Sequence, residues 1–367
     1  MPTIVALFTV LARNLRLGVR RPDLIVQTIA VPVVALGLAS IMFGSADAWP
    51  AALTEEADSV ASAQVVADLA EIQGTQGPYF DLIEMSATEA RGLVEDGNLQ
   101  VALTLTETPD GGPEVAMRTY NINSDAMKNV RLRIIAAANA HDVAAGDQQV
   151  QAQVRPDGPR SVPRAAFMGG SAIILALLLG SCLITANLVV SEPAGRTTRE
   201  IALTPLGVPI AMAGASASGM LWAGVTALPT AVMAWAFGFR AGLGSLAMTA
   251  LVLVPAMAAS AGLGALIATR LRTPSAVQAP VILLALGTYF AGGGFMPVAG
   301  LPPLARGIAA WWPPSWVFEW CNPLLQGFAT ELPPRQAVGA VVMLLAGAGA
   351  SWLAGYLEQR LPAPTGQ

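Results

Sequence analysis

SEPAGRTTREIALTPLGVP, residues 191–209, is the stretch from which the rest of the chain can be read. It is a polar island between two long apolar runs, 166–190 and 210–237. Thr197 and Glu200 stand in the S/T-x-x-E relation of a capping box, where the threonine hydroxyl accepts from a first-turn N–H and the glutamate reaches back to the cap. Pro205 ends the element, because the residue before a proline is pushed out of the α region. The pattern predicts a helix of about two turns, 198–204, held between two membrane spans. So short a helix is marginal alone and needs something to pack on. One face is expected to rest on the membrane, and the other, with Arg196, Arg199 and Glu200, to meet another protein. A well-capped loop without such a role is the plainer alternative.

Outward from the island, apolar runs occur at 24–43, 166–190, 209–237, 245–269, 276–294 and 336–356. Each reaches or approaches the ~20 residues that cross a hydrocarbon core of ~30 Å. Charged residues make up 12% of the chain and apolar ones 54%, with a mean hydropathy of +0.57. These values place the chain among polytopic membrane proteins. None of the six runs contains Asp, Glu, Lys, Arg or His.

Charge is unevenly placed, with 18 of the 24 acidic side chains lying within residues 45–163. A soluble acidic domain is therefore spliced into a membrane protein whose loops are basic. Nothing resembles the clustered positive surface of a nucleic-acid binder. The insert reads as α+β, with helical patterns at 58–71 and 88–96 and strand-like alternation at 101–105 and 115–120 around the turn at Pro109-Asp110-Gly111-Gly112. A longer helix, 124–145, capped by Ser124, and a linker, 148–163, complete it. His141 is the only histidine, on that last helix, where a solvated side chain is the default. The insert has no cysteine, and Cys182 and Cys321 read as small buried side chains in or near spans.

Residues 3–20 alternate Val5, Phe8, Leu11, Leu15 and Val19 with Arg13, Arg16 and Arg20, a basic amphipathic helix suited to an anionic leaflet. The run that follows is too long for a signal-peptide core, despite the Ala46-Asp47-Ala48 pattern, so an uncleaved span is preferred. Arg13, Arg16, Arg20, Arg21, Arg196, Arg199, Arg270, Arg272 and Arg360 fall on one side, against Arg240, Arg306 and Arg335. This asymmetry gives both termini and the 191–209 loop a cytoplasmic address, with the insert outside. After the fifth run the chain is broken by Gly292–Gly294 and by Pro297, Pro302, Pro303, Pro313, Pro314 and Pro323, and Trp311, Trp312, Trp316 and Trp320 cluster there. A re-entrant pair of short helices at the outer interface is expected, with a plain aromatic belt as the alternative.

The ordinary equipment of several chemistries is missing. The one lysine, Lys128, lies in the insert, so a Gly-Lys-Ser/Thr phosphate loop is absent. One histidine and no cysteine cluster leave no zinc site of the usual kind, and no metal ligand set is assigned. Proton-coupled carriers place ionisable groups within the membrane, whereas the polar residues in these runs include Thr28, Ser181, Thr185, Asn187, Ser260, Gln278 and Thr288. Thr185, Asn187, Gln278 and Thr288 are the candidates to line a pathway. Small residues at 214–224 and 258–264 allow close helix contacts. If the protein moves something, its energy is expected from another subunit.

Two stretches carry a family resemblance. Glu192-Pro193-Ala194-Gly195, Arg199-Glu200 and Leu203-Thr204-Pro205-Leu206 look like an E-x-x-x-G-T-x-E-x-L…TP coupling region. Gly293-Gly294-Phe295-Met296-Pro297, Leu301-Pro302, Ile308-Ala309 and Pro313-Pro314-Ser315-Trp316 are similar to an external G-x-F-x-P…LP…P hairpin. With the insert's 87–105 and 120–135, the whole chain resembles permease subunits of type-2 ABC exporters carrying an extracytoplasmic insert, such as drug and sodium export permeases of bacteria. It departs from them in a tighter acid-to-Gly spacing and in Ile210-Ala211-Met212 where a lysine often opens the next span.

The resemblance implies a membrane all-α fold of six transmembrane helices in the bacterial inner membrane. A re-entrant external hairpin (291–330) precedes the last span, and an α+β extracytoplasmic domain (45–163) is inserted between spans 1 and 2. Residues 1–22 form the interface helix, 23–44 the first span, 164–360 the remaining spans with the 191–209 coupling loop, and 361–367 a cytoplasmic tail. It further implies two permeases working with two ABC ATPase subunits, as a homodimer or a heterodimer, with room for a periplasmic adaptor. ATP and Mg belong to the partner, and no cofactor to this chain. ATPase closure would push on the 198–204 helix and tilt the second and fifth spans, releasing a hydrophobic or amphipathic substrate outward. Glu192, Gly195, Arg199, Glu200, Thr204 and Pro205 are the coupling candidates, and Phe295, Met296 and Pro297 the outer gate. The competing class is a membrane-anchored sensor or scaffold that transports nothing; a membrane-embedded enzyme is disfavoured by the missing polar site.

Overall fold

The computed structural model describes residues 2–43, 49–55, 60–71, 73–74, 77–78, 80–95, 101–107, 113–119, 164–194, 207–295, 298, 303–327 and 331–360. The chain divides into two compact units, residues 1–44 with 162–367, and residues 45–161.

In the first unit, α1 (Pro2–Arg20) is joined to α2 (Val26–Phe43) by a 3-10 turn at Pro22–Leu24. Pro22 starts that turn, and Arg21 donates to the Asp23 carboxylate at 2.7 Å. The bond draws the Asp23 carboxyl below the usual carboxylate range, but both side chains are more than half exposed and the pair adds little stability. With α3 (Val60–Glu71) and α4 (Ala87–Glu95) in the second unit, the series continues as α5 (Arg164–Ala194), α6 (Gly207–Thr226), α7 (Leu228–Ala236), α8 (Leu243–Leu271), α9 (Pro274–Ala291), α10 (Pro303–Trp311), α11 (Pro313–Leu325) and α12 (Pro334–Arg360). These segments are helical because a chain in hydrocarbon must satisfy its backbone groups internally.

Among the described residues, five helical stretches are long and apolar enough to cross a membrane: Ala165–Ser191, Gly207–Ala236, Leu243–Leu271, Pro274–Ala291 and Pro334–Arg360. The apolar part of α2, Val26–Ser40, is shorter. Five of the six expected spans coincide with these stretches, and the expected first span falls on the shorter helix. α6 and α7 form one stretch interrupted at Ala227, because Pro229 cannot donate its share of the ladder.

α5 is the centre of this unit. Its most apolar stretch is 83% buried, against 17% for α9 and 22% for α12. It touches α2, α6, α7, α8, α9 and α11, and α8 in turn packs along α12. Lipid tails are as apolar as leucine, so helices associate through close packing and cross-helix hydrogen bonds. Gly264 of α8 lies against the backbone of Cys182 in α5, and a Cβ at Gly180 would stand 2.9 Å from the Cβ of Ala223. Ser260 donates to the Leu178 carbonyl at 2.8 Å, and the Ser216 and Ser351 hydroxyls meet at 2.8 Å between α6 and α12. α1 packs on α6, with Gly214 against Val10 and the Trp222 indole against Gly18. Its other face leaves Val5, Phe8 and Val19 exposed.

The second unit is a four-stranded sheet in the order β4-β1-β5-β6, built from β1 (Trp49–Glu55), β4 (Phe80–Glu84), β5 (Val101–Glu107) and β6 (Pro113–Thr119). β1 runs parallel to both β4 and β5, and β6 closes antiparallel on β5. A two-residue pair, β2 (Gln73–Gly74) and β3 (Gly77–Pro78), stands apart. Because strand side chains alternate, Leu53, Leu103 and Leu105 pack with Leu69 of α3 (Val60–Glu71). Ala52 and Ala102 pack instead with Ala90 and Val94 of α4 (Ala87–Glu95). The expected α+β insert therefore has three parallel strands, sandwiched between α3 and α4. The sequence reading lacked β1 and β4. Its helix 124–145 and linker 148–163 lie outside the described residues.

Two outcomes test this architecture. Gly264→Leu should lower the melting temperature of the detergent-purified protein by the equivalent of about 1–3 kcal/mol or more, the usual cost of overpacking. Gly224→Leu, at a glycine with nothing within 4 Å of an added Cβ, should leave it near wild type. An isolated 46–163 fragment should give a mixed helix–strand circular dichroism spectrum with a cooperative melt; a random-coil spectrum would rule out an autonomous domain.

Candidate functional site

The described residues converge at the end of α9, where the helix breaks and the α10–α11 hairpin begins. Gly292, Gly293 and Gly294 are all buried. Gly293 sits at φ +103°, a conformation that an L side chain enters only with strain. A Cβ there would also lie 2.8 Å from Val298 Cγ2. A Cβ at Gly294 would stand 2.6 Å from Tyr289 Cδ2 and 3.1 Å from Phe318 Cε1. The glycines thus let α11 seat directly on the end of α9.

The following polar contacts at this junction join neutral groups. The Trp312 indole donates to Thr288 Oγ1 at 2.8 Å, and Thr288 donates to the Leu284 carbonyl at 2.8 Å. The Tyr289 hydroxyl donates to the Met168 carbonyl of α5 at 3.3 Å, and its ring meets Phe318 edge-on at 6.3 Å. Asn322 accepts from Ser171 at 3.0 Å and donates to the Gly293 carbonyl at 3.3 Å. Gln326 donates to the Ala166 carbonyl at 3.3 Å. The turn between α10 and α11 is closed by Trp316, whose indole donates to the Ala310 carbonyl at 3.0 Å and whose ring stacks on Trp320 at 6.2 Å. Among the described residues no three His, Cys, Asp or Glu side chains come together as a metal site.

The residues singled out in the sequence are distributed as follows. Phe295 follows the break, its N–H donating to the Tyr289 carbonyl at 2.8 Å and its ring tilted against Phe290 at 5.7 Å. Met296 and Pro297 lie outside the described residues. Thr288 belongs to the hairpin junction. Gln278 instead accepts from Gln27 of α2 at 3.0 Å. Thr185 and Asn187 are buried in α5, Thr185 against Gly219. Being two apart in a helix, they occupy different faces. The four candidates for a pathway therefore do not form one site. Glu192 falls in the last turn of α5, while Gly195, Arg199, Glu200, Thr204, Pro205 and the Thr197 cap lie outside the described residues.

Ser171, Tyr289, Asn322 and Gln326 were not foreseen. The available signal was a pair of amides one turn apart, Asn322 and Gln326, in an otherwise apolar and aromatic run.

Five membrane-length stretches, with α5 as their buried centre, define a multi-pass membrane protein. A model of the ABC-2 family transporter proteins matches residues 23–357. The chain therefore belongs to the ABC-2 family, whose membrane proteins are the transport component and normally pair with ABC ATPase subunits. No curated protein matches it.

Gly293→Ala should cost at least ~1 kcal/mol from its left-handed backbone alone, read as a lower melting temperature. Gly307→Ala, on the hairpin but in open space, should be neutral.

Proposed function

We propose that this chain is the transmembrane subunit of an ATP-driven bacterial exporter, moving a hydrophobic or amphipathic substrate outward with the energy of a separate ATPase. The observation that carries the reading is the family match across residues 23–357, in a chain whose apolar runs contain no Asp, Glu, Lys, Arg or His. Proton-driven carriers rely on such groups, so the driving force belongs on a partner. The working unit is then two permeases, identical or paired with a paralogue, and two ATPase subunits that hold ATP and Mg.

In this reading the chain crosses the inner membrane six times, α2 serving as the first span. Both termini and the 191–209 loop are cytoplasmic and the inserted domain is outside, as the arginine asymmetry indicates. A periplasmic adaptor is a further partner compatible with an exposed insert. ATPase closure acts on Glu192, Gly195, Arg199, Glu200, Thr204 and Pro205, and the resulting tilt opens an outer gate around Phe295, Met296 and Pro297.

Purification in mild detergent should bring a nucleotide-binding subunit with the chain. Glu200→Ala and Arg199→Ala should reach the membrane in normal amount yet lose transport, because truncating one partner of a desolvated pair costs about 2–5 kcal/mol. Normal export and ATP hydrolysis in both reconstituted variants would remove the loop from the mechanism.

A further inference from the structure

The α10–α11 hairpin is flanked by two glycines in left-handed conformations, Gly293 at φ +103° and Gly327 at φ +76°. Within α11, Pro323 removes a backbone donor beside Asn322. An element with pliable ends and a weakened base needs a fastening, and its two side-chain amides supply one. Asn322 holds Ser171 of α5 and the Gly293 carbonyl together, at 3.0 and 3.3 Å. One turn on, Gln326 reaches the Ala166 carbonyl at 3.3 Å. Asn322 is 5% exposed, Gln326 3% and Ser171 0%. Gly170 makes the seat: a Cβ there would stand 2.8 Å from Gln326 Nε2.

We propose that Asn322 is the pin of an outer latch, fastening the hairpin to the first turns of α5 and letting go when the outer side of the protein opens. The inference rests on the permease reading above. Its chemistry suits a contact that is made and broken repeatedly. Bonds between neutral groups of membrane helices are individually modest, because separated partners find substitutes. Separating a buried ion pair would instead strand charge. A single amide that donates to one element and accepts from another also couples them, so losing the seat on α5 frees the Gly293 end as well. Cys321, adjacent and 0% exposed, becomes reachable once α11 lifts.

The test uses the full chain carrying Cys182→Ala, which leaves Cys321 as its only thiol, and follows alkylation by N-ethylmaleimide. Labelling should be slow with the latch intact, at least tenfold faster in Asn322→Leu, and a few-fold faster in Ser171→Ala, which removes only one hydroxyl. Glu319→Gln, on the exposed side of α11, should leave the rate unchanged. Unaltered rates in folded Ser171→Ala and Asn322→Leu proteins would overturn the latch. A second arm places cysteines at 171 and 322 in a chain lacking Cys182 and Cys321, reconstituted with the co-purifying ATPase. Oxidative cross-linking should stop export and reduction should restore it. Full export by the cross-linked protein would overturn the latch and leave the permease reading standing. Failure to export by the complex of the chain lacking Cys182 and Cys321, with Ser171 and Asn322 intact, would overturn the permease reading, and the labelling arm would still decide the latch.

Discussion

Close approach of helix backbones is the constraint on which the rest of this membrane unit depends. Water drives the packing of soluble helices, but between helices in lipid there is no such gain, and fit has to supply the attraction. Gly264 of α8 against Cys182 of α5, and Gly347 of α12 against Ala258 of α8, supply it at successive layers. Each glycine removes the side chain that would hold two backbones apart. The result is that α8 is shared between α5 and α12, and α5 is enclosed by the other helices. Enclosure of α5 then explains why the exposed leucines and valines lie elsewhere, with the largest shares on α8 and α12, as at Leu251 and Leu345.

The same constraint selects the polar contacts. With no Asp, Glu, Lys, Arg or His in the apolar runs, helices are tied by hydroxyls, amides and carbonyls: Ser216 with Ser351, Ser260 with Leu178, and Gln27 with Gln278. Such ties fix which faces meet without requiring charge separation when helices shift. They are compatible with an interior that rearranges under an external force and has no ion gradient of its own to exploit.

Much of this was legible in the sequence, for local reasons. Runs of about twenty apolar residues announce spanning helices, and Gly292–Gly294 announced the break after α9. Composition did not reveal direction: within the glycine-rich 214–224 segment, Gly214 and Gly219 take close contacts but Gly224 faces open space. β1 and β4 escaped because parallel pairing joins strands across a crossover and leaves no hairpin signal, and because β1 offers Ala51 and Ala52 where β-branched residues would have marked a strand. The Ser171–Asn322 bond joins positions 151 residues apart, beyond the reach of any local pattern. The polar residues chosen as a pathway were identified by residue type alone. Depth and facing then assigned Thr288 to the hairpin and Gln278 to α2.

α5 connects the two ends of the proposed mechanism. Pro32 lies inside α2, Pro255 inside α8 and Pro280 inside α9, and Pro229 interrupts the α6–α7 stretch. In α5 the only proline is Pro193, in its last turn. Between Ser171 and Glu192 the helix is therefore an unbroken ladder, about 30 Å long at 1.5 Å per residue. A proline-interrupted helix absorbs an applied displacement at its break, whereas an unbroken, enclosed one carries it along its length. If the segment that follows α5 is displaced by a partner, as the proposed function has it, the nearest stiff element leads to the seat of Asn322. Coupling between the two faces then needs no chain of specific contacts through the core, only a central helix that moves as one body and a neutral fastening at its far end.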